Sequence, residues 1–320
     1  RDLVRSRGLG DVYKRQIQNI GKVTNSGVEI ELDYNAFKNK DWSVSVGANA
    51  TFVKNKIKNL PATMKENGYI SGSKKWLEGK SIYEFWLRQW HGVDPQTGDG
   101  LYVADVSKYN QGNIGTGDGN ITQSQFDEYK KTVVTIDGKE LTNSYTYAKY
   151  DFSGSSIPDV FGGFNVRVSY KNFDLAAVFS YQLGGQVLDT NYATMMSMTE
   201  FGYAQSPDLL KAWKQAGDIT EVPRIDNSAA HTTNIGQSYS TRWLTSSDYL
   251  NLRSVTIGYQ FPKAWLSKVM LKSARLNLTA ENLFMLKARQ GLNPMANYSG
   301  VTYNEYMPSR NITLGLNVSF

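Results

Sequence analysis

Residues 27–52 read GVEIELDYNAFKNKDWSVSVGANATF. In the first ten positions Val28, Ile30, Leu32, Tyr34 and Ala36 fall on one side of an extended chain. Glu29, Glu31, Asp33 and Asn35 fall on the other. Period two marks a strand with two unlike faces, and about ten residues is the length at which a tilted strand crosses a bilayer. A polar turn at 37–41 reverses the chain. Trp42, Val44, Val46, Ala48, Ala50 and Phe52 then share a face, against Ser43, Ser45, Asn49 and Thr51.

The hairpin recurs downstream. Phe164, Val166, Val168 and Tyr170 alternate with Asn165, Arg167 and Ser169; a turn at Lys171 and Asn172 leads into Phe173, Leu175, Ala177, Phe179 and Tyr181. Val255, Ile257, Tyr259 and Phe261 form a further face. Leu250 and Leu252 lie out of register with it, which predicts a bulge near Arg253 and Ser254. The connector 262–272 predicts a short helix. Ala274, Leu276, Leu278 and Ala280 continue, opposite Arg275, Asn277, Thr279 and Glu281, and the chain ends with Ile312, Leu314, Leu316, Val318 and Phe320 on one face.

These are seven strands, with short connectors near 37–41, 171–172 and 262–273 and long ones near 54–159, 184–247 and 287–310. Short turns at one end and long loops at the other are the asymmetry of bacterial outer-membrane barrels. A soluble sandwich has no reason to segregate its loops by length. Such barrels have even strand numbers, and lipid does not tolerate an open edge, so further strands are expected beyond these seven.

Composition agrees. Tyr (20), Phe (13) and Trp (7) are abundant beside 28 Gly, and only 20% of residues are charged, yet the apolar runs are too short for a membrane-crossing helix. With no cysteine, disulfides, thiolate metal sites and cysteine nucleophiles are excluded, and two histidines (His91, His231) make a histidine cluster implausible. Residues 1–16, RDLVRSRGLGDVYKRQ, carry a net +3 of the chain's +6 and show neither periodicity. They resemble translated sequencing-adapter sequence and are set apart from the fold, leaving 17–320 as the native part. No basic stripe with interleaved aromatics points to nucleic acid. There is also no apolar leader, so an exported protein is expected to have begun further upstream.

The chemistry-bearing patterns read as wall or loop. Glu29 and Glu31 share a face two residues apart, a pattern of glycosidase carboxylates, but one that a polar lumen wall produces without any reaction. No enzyme is inferred. The stretch 113–126 (NIGTGDGNITQSQF) has a calcium-loop flavour, yet Ile114 and Thr116 stand where carboxylates are needed. It reads instead as a polar turn into a helix over 123–131. Glu29, Glu31, Asp33, Arg167, Asp174, Arg275 and Glu281 are the expected lumen-facing polar residues. Trp42, Tyr170, Phe173, Tyr259, Phe261 and Trp265 are the expected interfacial girdle. Trp76, Trp86, Trp90 and Trp243 are loop aromatics able to stack on a substrate or meet a partner, whereas Trp213, in an expected helix over 207–216, reads as a packing anchor.

Six motifs stand in one order: NSGVEIEL (25–32), GVDPQTGDG (92–100), IPDVFGGF (157–164), WKQAGDITEVPR (213–224), SDYLNLRSVTIGYQFP (247–262) and RLNLTAENLF (275–284). Together they resemble the C-terminal portion of the SusC/RagA family of TonB-dependent outer-membrane transporters, over about 19–320. GLNP (291–294) and Met295 depart from the family's G-x-D-P-E, so two acids are missing here. The resemblance implies an all-β fold: about the last seven strands of a 22-stranded transmembrane barrel, with long extracellular loops containing short helices. It also implies import of oligosaccharides or peptides, energy supplied through TonB by regions outside this chain, a SusD-like lipoprotein partner, no cofactor, and a terminal Phe320 read by the barrel-insertion machinery. A small barrel serving as adhesin or anchor and a soluble glycan-binding sandwich are the alternatives.

Overall fold

The computed structural model describes residues 21–198, 202, 204–236, 239–296, 298–303 and 305–320; segment 1–16 lies outside them. Seven strands form one antiparallel sheet in chain order: β1 (Lys22–Lys38), β2 (Trp42–Asn59), β3 (Val160–Tyr170), β4 (Phe173–Leu183), β5 (Tyr249–Gln260), β6 (Ser273–Glu281) and β7 (Asn311–Ser319). A three-residue strand, Met285–Lys287, pairs with the start of β5. No helix among the described residues is long and apolar enough to cross a membrane.

Register turns the period-two pattern into two surfaces. Tyr34, Val46, Val166, Ala177, Val255, Ala280 and Ile312 lie side by side across all seven strands. One residue along, Asp33, Gly47, Asn165, Val178, Ser254, Glu281 and Asn311 form the matching row on the other face. A slip of one residue in any strand would put its apolar set on the wrong side, so this agreement across seven strands fixes the register. The expected bulge is present: Val178 opposes Ser254 while Phe179 opposes Leu252, leaving Arg253 as the extra residue.

Two turns explain the hairpins locally. The Asn39 side chain accepts the backbone N–H groups of Asp41 (2.9 Å) and Trp42 (2.8 Å). Lys171 takes the left-handed conformation (φ 51°) between β3 and β4, and its N–H reaches back to Asp41 O at 2.8 Å. The connector after β5 holds the short helix Lys263–Leu266.

The structure departs from the sequence reading in extent. β1 and β2 run to 17 and 18 residues rather than about ten. Their outer ends carry polar groups on both faces, with Asn55 donating to Asn25 Oδ1 at 2.7 Å. Past Phe52 the alternation inverts, with Lys54, Lys56 and Lys58 continuing the apolar side and Val53 and Ile57 the polar one, so the two-face pattern stops there. The long connectors also hold more strand than expected. One four-stranded sheet combines Tyr69–Ser71, Lys74–Trp76, Glu84–Arg88 and Tyr150–Ser155; another combines Trp90–Val93, Gly100–Val103, Val133–Ile136 and Lys139–Thr142. Strands of three to six residues are too short for a periodicity to declare itself.

The buried core lies in this loop body rather than in the wall. Phe85 and Leu87 from the first connector, Leu188 and Trp243 from the second, and Val301 from the third form one apolar cluster. A second cluster, with Phe126 and Tyr129, sits under helix α1 (Gln123–Thr132). Thr122 caps α1: Gln125 N donates to Thr122 Oγ1 at 3.2 Å and Thr122 N donates to Gln125 Oε1 at 2.8 Å. A reciprocal capping box of this kind satisfies two end N–H groups and starts the helix where the sequence reading placed it.

Candidate functional site

Across the strands, one face of the wall is predominantly polar, interrupted on β4 by Ala176 and Val178. Asp174 on β4 and Arg275 on β6 pair at 2.7 Å across the intervening β5. They meet over Gly258, where a Cβ would come within 2.2 Å of Arg275 Nη2 and 2.7 Å of Asp174 Oδ1. Gly47 plays the same part between Asp33 and Asn165, each within 2.6 Å of where its Cβ would stand. Thr256 and Thr279 share a hydrogen bond of 3.1 Å, and Asn311 donates to Glu281 at 3.2 Å. Glu29, Glu31 and Arg167 extend this surface by register, opposite Thr51, Asn49 and Ser45. Every residue expected on the polar face therefore lies on one continuous surface.

The other face is apolar and uncovered, with Leu32 63% and Ile312 72% exposed. At its short-turn end the aromatics meet in a row. Trp42 lies 4.3 Å from Tyr170, Phe173 lies 4.4 Å from Tyr259, and Tyr259 lies 5.1 Å from Phe261. Tyr170 and Phe173 are cross-strand partners, which joins the two groups. Trp265 on the short helix and Phe320 at the chain end are exposed, and neither ring packs against this row.

At the long-loop end the polar face opens into a cavity of about 430 Å³. Phe161, Gln182 and Tyr249 form its wall as one register row. Tyr83, Pro158, Met295 and Tyr298 close over them from the loops. Gln182 is held by a 2.8 Å bond from its Nε2 to Ser247 Oγ. Gln186 Oε1 also lines this region; it is buried and has no hydrogen-bond partner among the described residues. Alternation alone places Gln182 on the polar face. The loop members Tyr83, Met295 and Tyr298 carried no such signal.

The loop tryptophans are placed unequally. Trp76 packs against Tyr69, with ring centroids 5.4 Å apart. Trp86, on the neighbouring strand, packs against Phe152 at 4.9 Å, and Lys75 Nζ stands 4.0 Å over its ring. The Arg242 guanidinium lies over the rings of both Trp90 and Trp243, at 4.7 and 4.3 Å from their centroids. Burial lowers the pKa of that guanidinium to about 10, so it remains a cation at neutral pH. Trp243 is only 3% exposed and is a core residue of the loop body, with no open ring face for a ligand.

Trp213 packs as an anchor, but the helix expected over 207–216 stops short of it. The helix there is a 3-10 segment, Pro207–Lys211, and Ala212 turns extended (ψ 147°). The tryptophan is drawn out of helix by Pro95, whose carbonyl takes its Nε1–H at 2.9 Å, and by Val222, whose carbonyl takes its backbone N–H at 3.0 Å. Its ring fills the space beside Gly98 (φ +73°), where a Cβ would lie 2.4 Å away. Arg224 donates to Asp99 at 3.0 Å. The sequence motifs 92–100 and 213–224 thus dock on each other.

No protein-family profile matches the chain. Relatives do. TonB-dependent receptor P3 of Formosa agariphila is 27% identical over 323 residues, which is 95% of this chain and 29% of that receptor. TonB-dependent receptor SusC of Bacteroides thetaiotaomicron is 24% identical, over 98% of this chain and 28% of its own length. The chain is a relative of the TonB-dependent receptors. A solved structure titled as the RagAB peptide transporter superposes with a TM-score of 0.72 at 23% identity, over 95% of this chain and 30% of that one. That likeness establishes the fold: the sheet of this receptor-like chain is part of a transmembrane antiparallel β-barrel. The chain spans under a third of the length of the receptors it matches.

Proposed function

We propose that this chain is a wall section of an outer-membrane importer of bulky polar nutrients, oligosaccharides or peptides. The observation that carries the reading is the wall with two faces: a polar surface continuous over seven strands, ending in a cavity beneath the loop body. The relationship to TonB-dependent receptors supports it. So does the fold shared with a peptide transporter.

In this account residues 17–320 are the C-terminal part of the barrel. Glu29, Glu31, Asp33, Arg167, Asp174, Arg275 and Glu281 wet the lumen. Trp42, Tyr170, Phe173, Tyr259, Phe261 and Trp265 form the girdle at the membrane–water boundary, where amphipathic rings are favoured. Phe320 is the signal for the insertion machinery. A SusD-like lipoprotein seats on the loop body, and TonB acts through other parts of the receptor. Trp76, Trp86 and Trp90 keep a role at the loop surface; Trp243 supports the loop body from within. No step of this activity makes or breaks a covalent bond, and Glu29 and Glu31 serve as wall rather than as catalysts.

The test is uptake by cells whose own receptor is replaced by variants. Gln182→Ala with Tyr298→Ala should lower import of the cognate oligosaccharide or peptide while surface level and heat-modifiable gel migration stay unchanged. Import that persists without the receptor, or without TonB, would defeat the proposal.

A further inference from the structure

On the apolar face, at the long-loop end, the wall carries a cleft of about 620 Å³ lined by Phe164, Tyr181, Leu183, Leu250 and Leu286. Its shape has local causes. Gly162, the partner of Tyr181, has no side chain, so the tyrosine ring lies across it and its hydroxyl reaches Asn49 O at 3.0 Å. Gly184 and Gly185, both at positive φ (73° and 79°), turn the chain away after β4 and leave Leu183 uncovered. Past Glu281, where β6 ends, only the short strand Met285–Lys287 continues the pairing, with Leu286 opposite Leu250. Leu183 and Leu286 remain 51% and 61% exposed.

The cleft's height in the membrane follows from the register. Tyr181 lies eight residues beyond the girdle residue Phe173 along β4. At ~3.4 Å per residue that is about 27 Å of strand. With a strand tilt of ~40° it is a height of roughly 20 Å, inside an apolar band ~25 Å tall. The cleft therefore opens in the outer leaflet, near the upper edge of the hydrocarbon. Ser246, Asp248 and Lys287 also contribute to its lining. It is continuous with the surface formed by Leu175 and Ile257, and carbon lines it almost throughout. Inside a bilayer no hydrophobic force drives a second protein into such a slot, because lipid tails are equally apolar. A flexible chain that conforms to the slot recovers the dispersion contacts an unfilled groove forfeits.

We propose that this cleft seats one acyl chain of an outer-leaflet lipid, held in place rather than exchanging freely with the lipid around the barrel. The inference rests on the membrane reading above. To test it, the complete receptor is reconstituted in nanodiscs containing a phospholipid with a diazirine in the upper half of one acyl chain. It is then irradiated, digested and mapped by mass spectrometry. Adducts at Tyr181, Leu183, Leu250 and Leu286 should exceed those at Ile312 and Leu314 by about fivefold, the ratio that ~1 kcal/mol of preference produces. Leu250→Trp with Leu286→Trp should abolish the excess, and mapping of the unaltered receptor decides the matter if that variant does not fold. Equal labelling of cleft and Leu314 would overturn the seat while leaving the membrane reading intact. Absence of label from the whole apolar face would overturn both.

Discussion

Single residues on the polar face matter chiefly through the room they leave. Arg275 and Asp174 are legible as polar-face residues by alternation, but their pairing is not. They belong to strands separated by β5, and only the missing side chain of Gly258 lets them meet. Gly258→Ala displaces the flexible ends of this partly exposed pair and should lower stability by at most about 1 kcal/mol, the worth of a surface ion pair. Gly315→Ala on β7 is the matched control, because a Cβ there meets nothing within 4 Å. Urea unfolding in lipid vesicles compares the two; equal effects would show that Gly258 is not a slot.

In the loop body Lys74 is the unusual residue. Burial lowers its pKa from 10.5 to about 7, with Glu84 opposing the shift. Its amine donates to Tyr83 O at 2.8 Å and lies 3.2 Å from the centre of the Phe85 ring. Between pH 7 and 10.5 the folded chain holds fewer protons at this site than the unfolded chain. The loop body should therefore gain stability as pH rises through that window and reach its full penalty below it. NMR of carbon-labelled lysine should find one amine titrating near pH 7; a midpoint near the surface-lysine value of ~10.4 would contradict the assignment.

At the scale of the element, the wall strands could be read because one face of each meets a single kind of surroundings. The bulge at Arg253 was legible for the same reason, since Leu250 and Leu252 fall out of step with Val255 and Ile257. The outer ends of β1 and β2 were not, because past Phe52 the residues Lys54, Lys56 and Lys58 take over the side that was apolar and the pattern inverts. Trp213 shows the other limit: a local helix signal lost to contacts with Pro95 and Gly98, more than a hundred residues away. The two faces predict opposite tolerance of charge. Val166→Arg, midway along β3 on the apolar face, should cost about 2–4 kcal/mol. Asn165→Arg, one residue earlier on the polar face, should be nearly neutral. Unfolding in vesicles measures both, and similar losses would mean the faces are wrongly assigned.

The whole molecule is a wall carrying a loop body, and the two halves are stabilised differently. The loop body has a buried core drawn from all three long connectors, which sequence pattern could not assemble because its members are so far apart in the chain. Among the described residues the wall has no such cluster, and in the account proposed above its apolar face meets hydrocarbon. Its edges, β1 and β7, carry unpaired backbone groups on their outer sides in this sheet. Lipid does not tolerate that arrangement, so the wall works only with further strands closing it.

This chain contributes no cysteine, so once any thiols elsewhere in the receptor are replaced the central assignment is open to a direct measurement. Single cysteines placed in turn at positions 30–34, 164–168 and 312–316 of the complete receptor in lipid vesicles would be spin-labelled, and collisions with oxygen and with a water-soluble nickel chelate compared. Oxygen should dominate at Ile30, Leu32, Phe164, Val166, Ile312 and Leu314, and nickel at Glu31, Asp33, Asn165, Arg167 and Thr313, alternating residue by residue with the same phase in all three strands. Accessibility without that alternation, or nickel reaching both faces alike, would contradict the account.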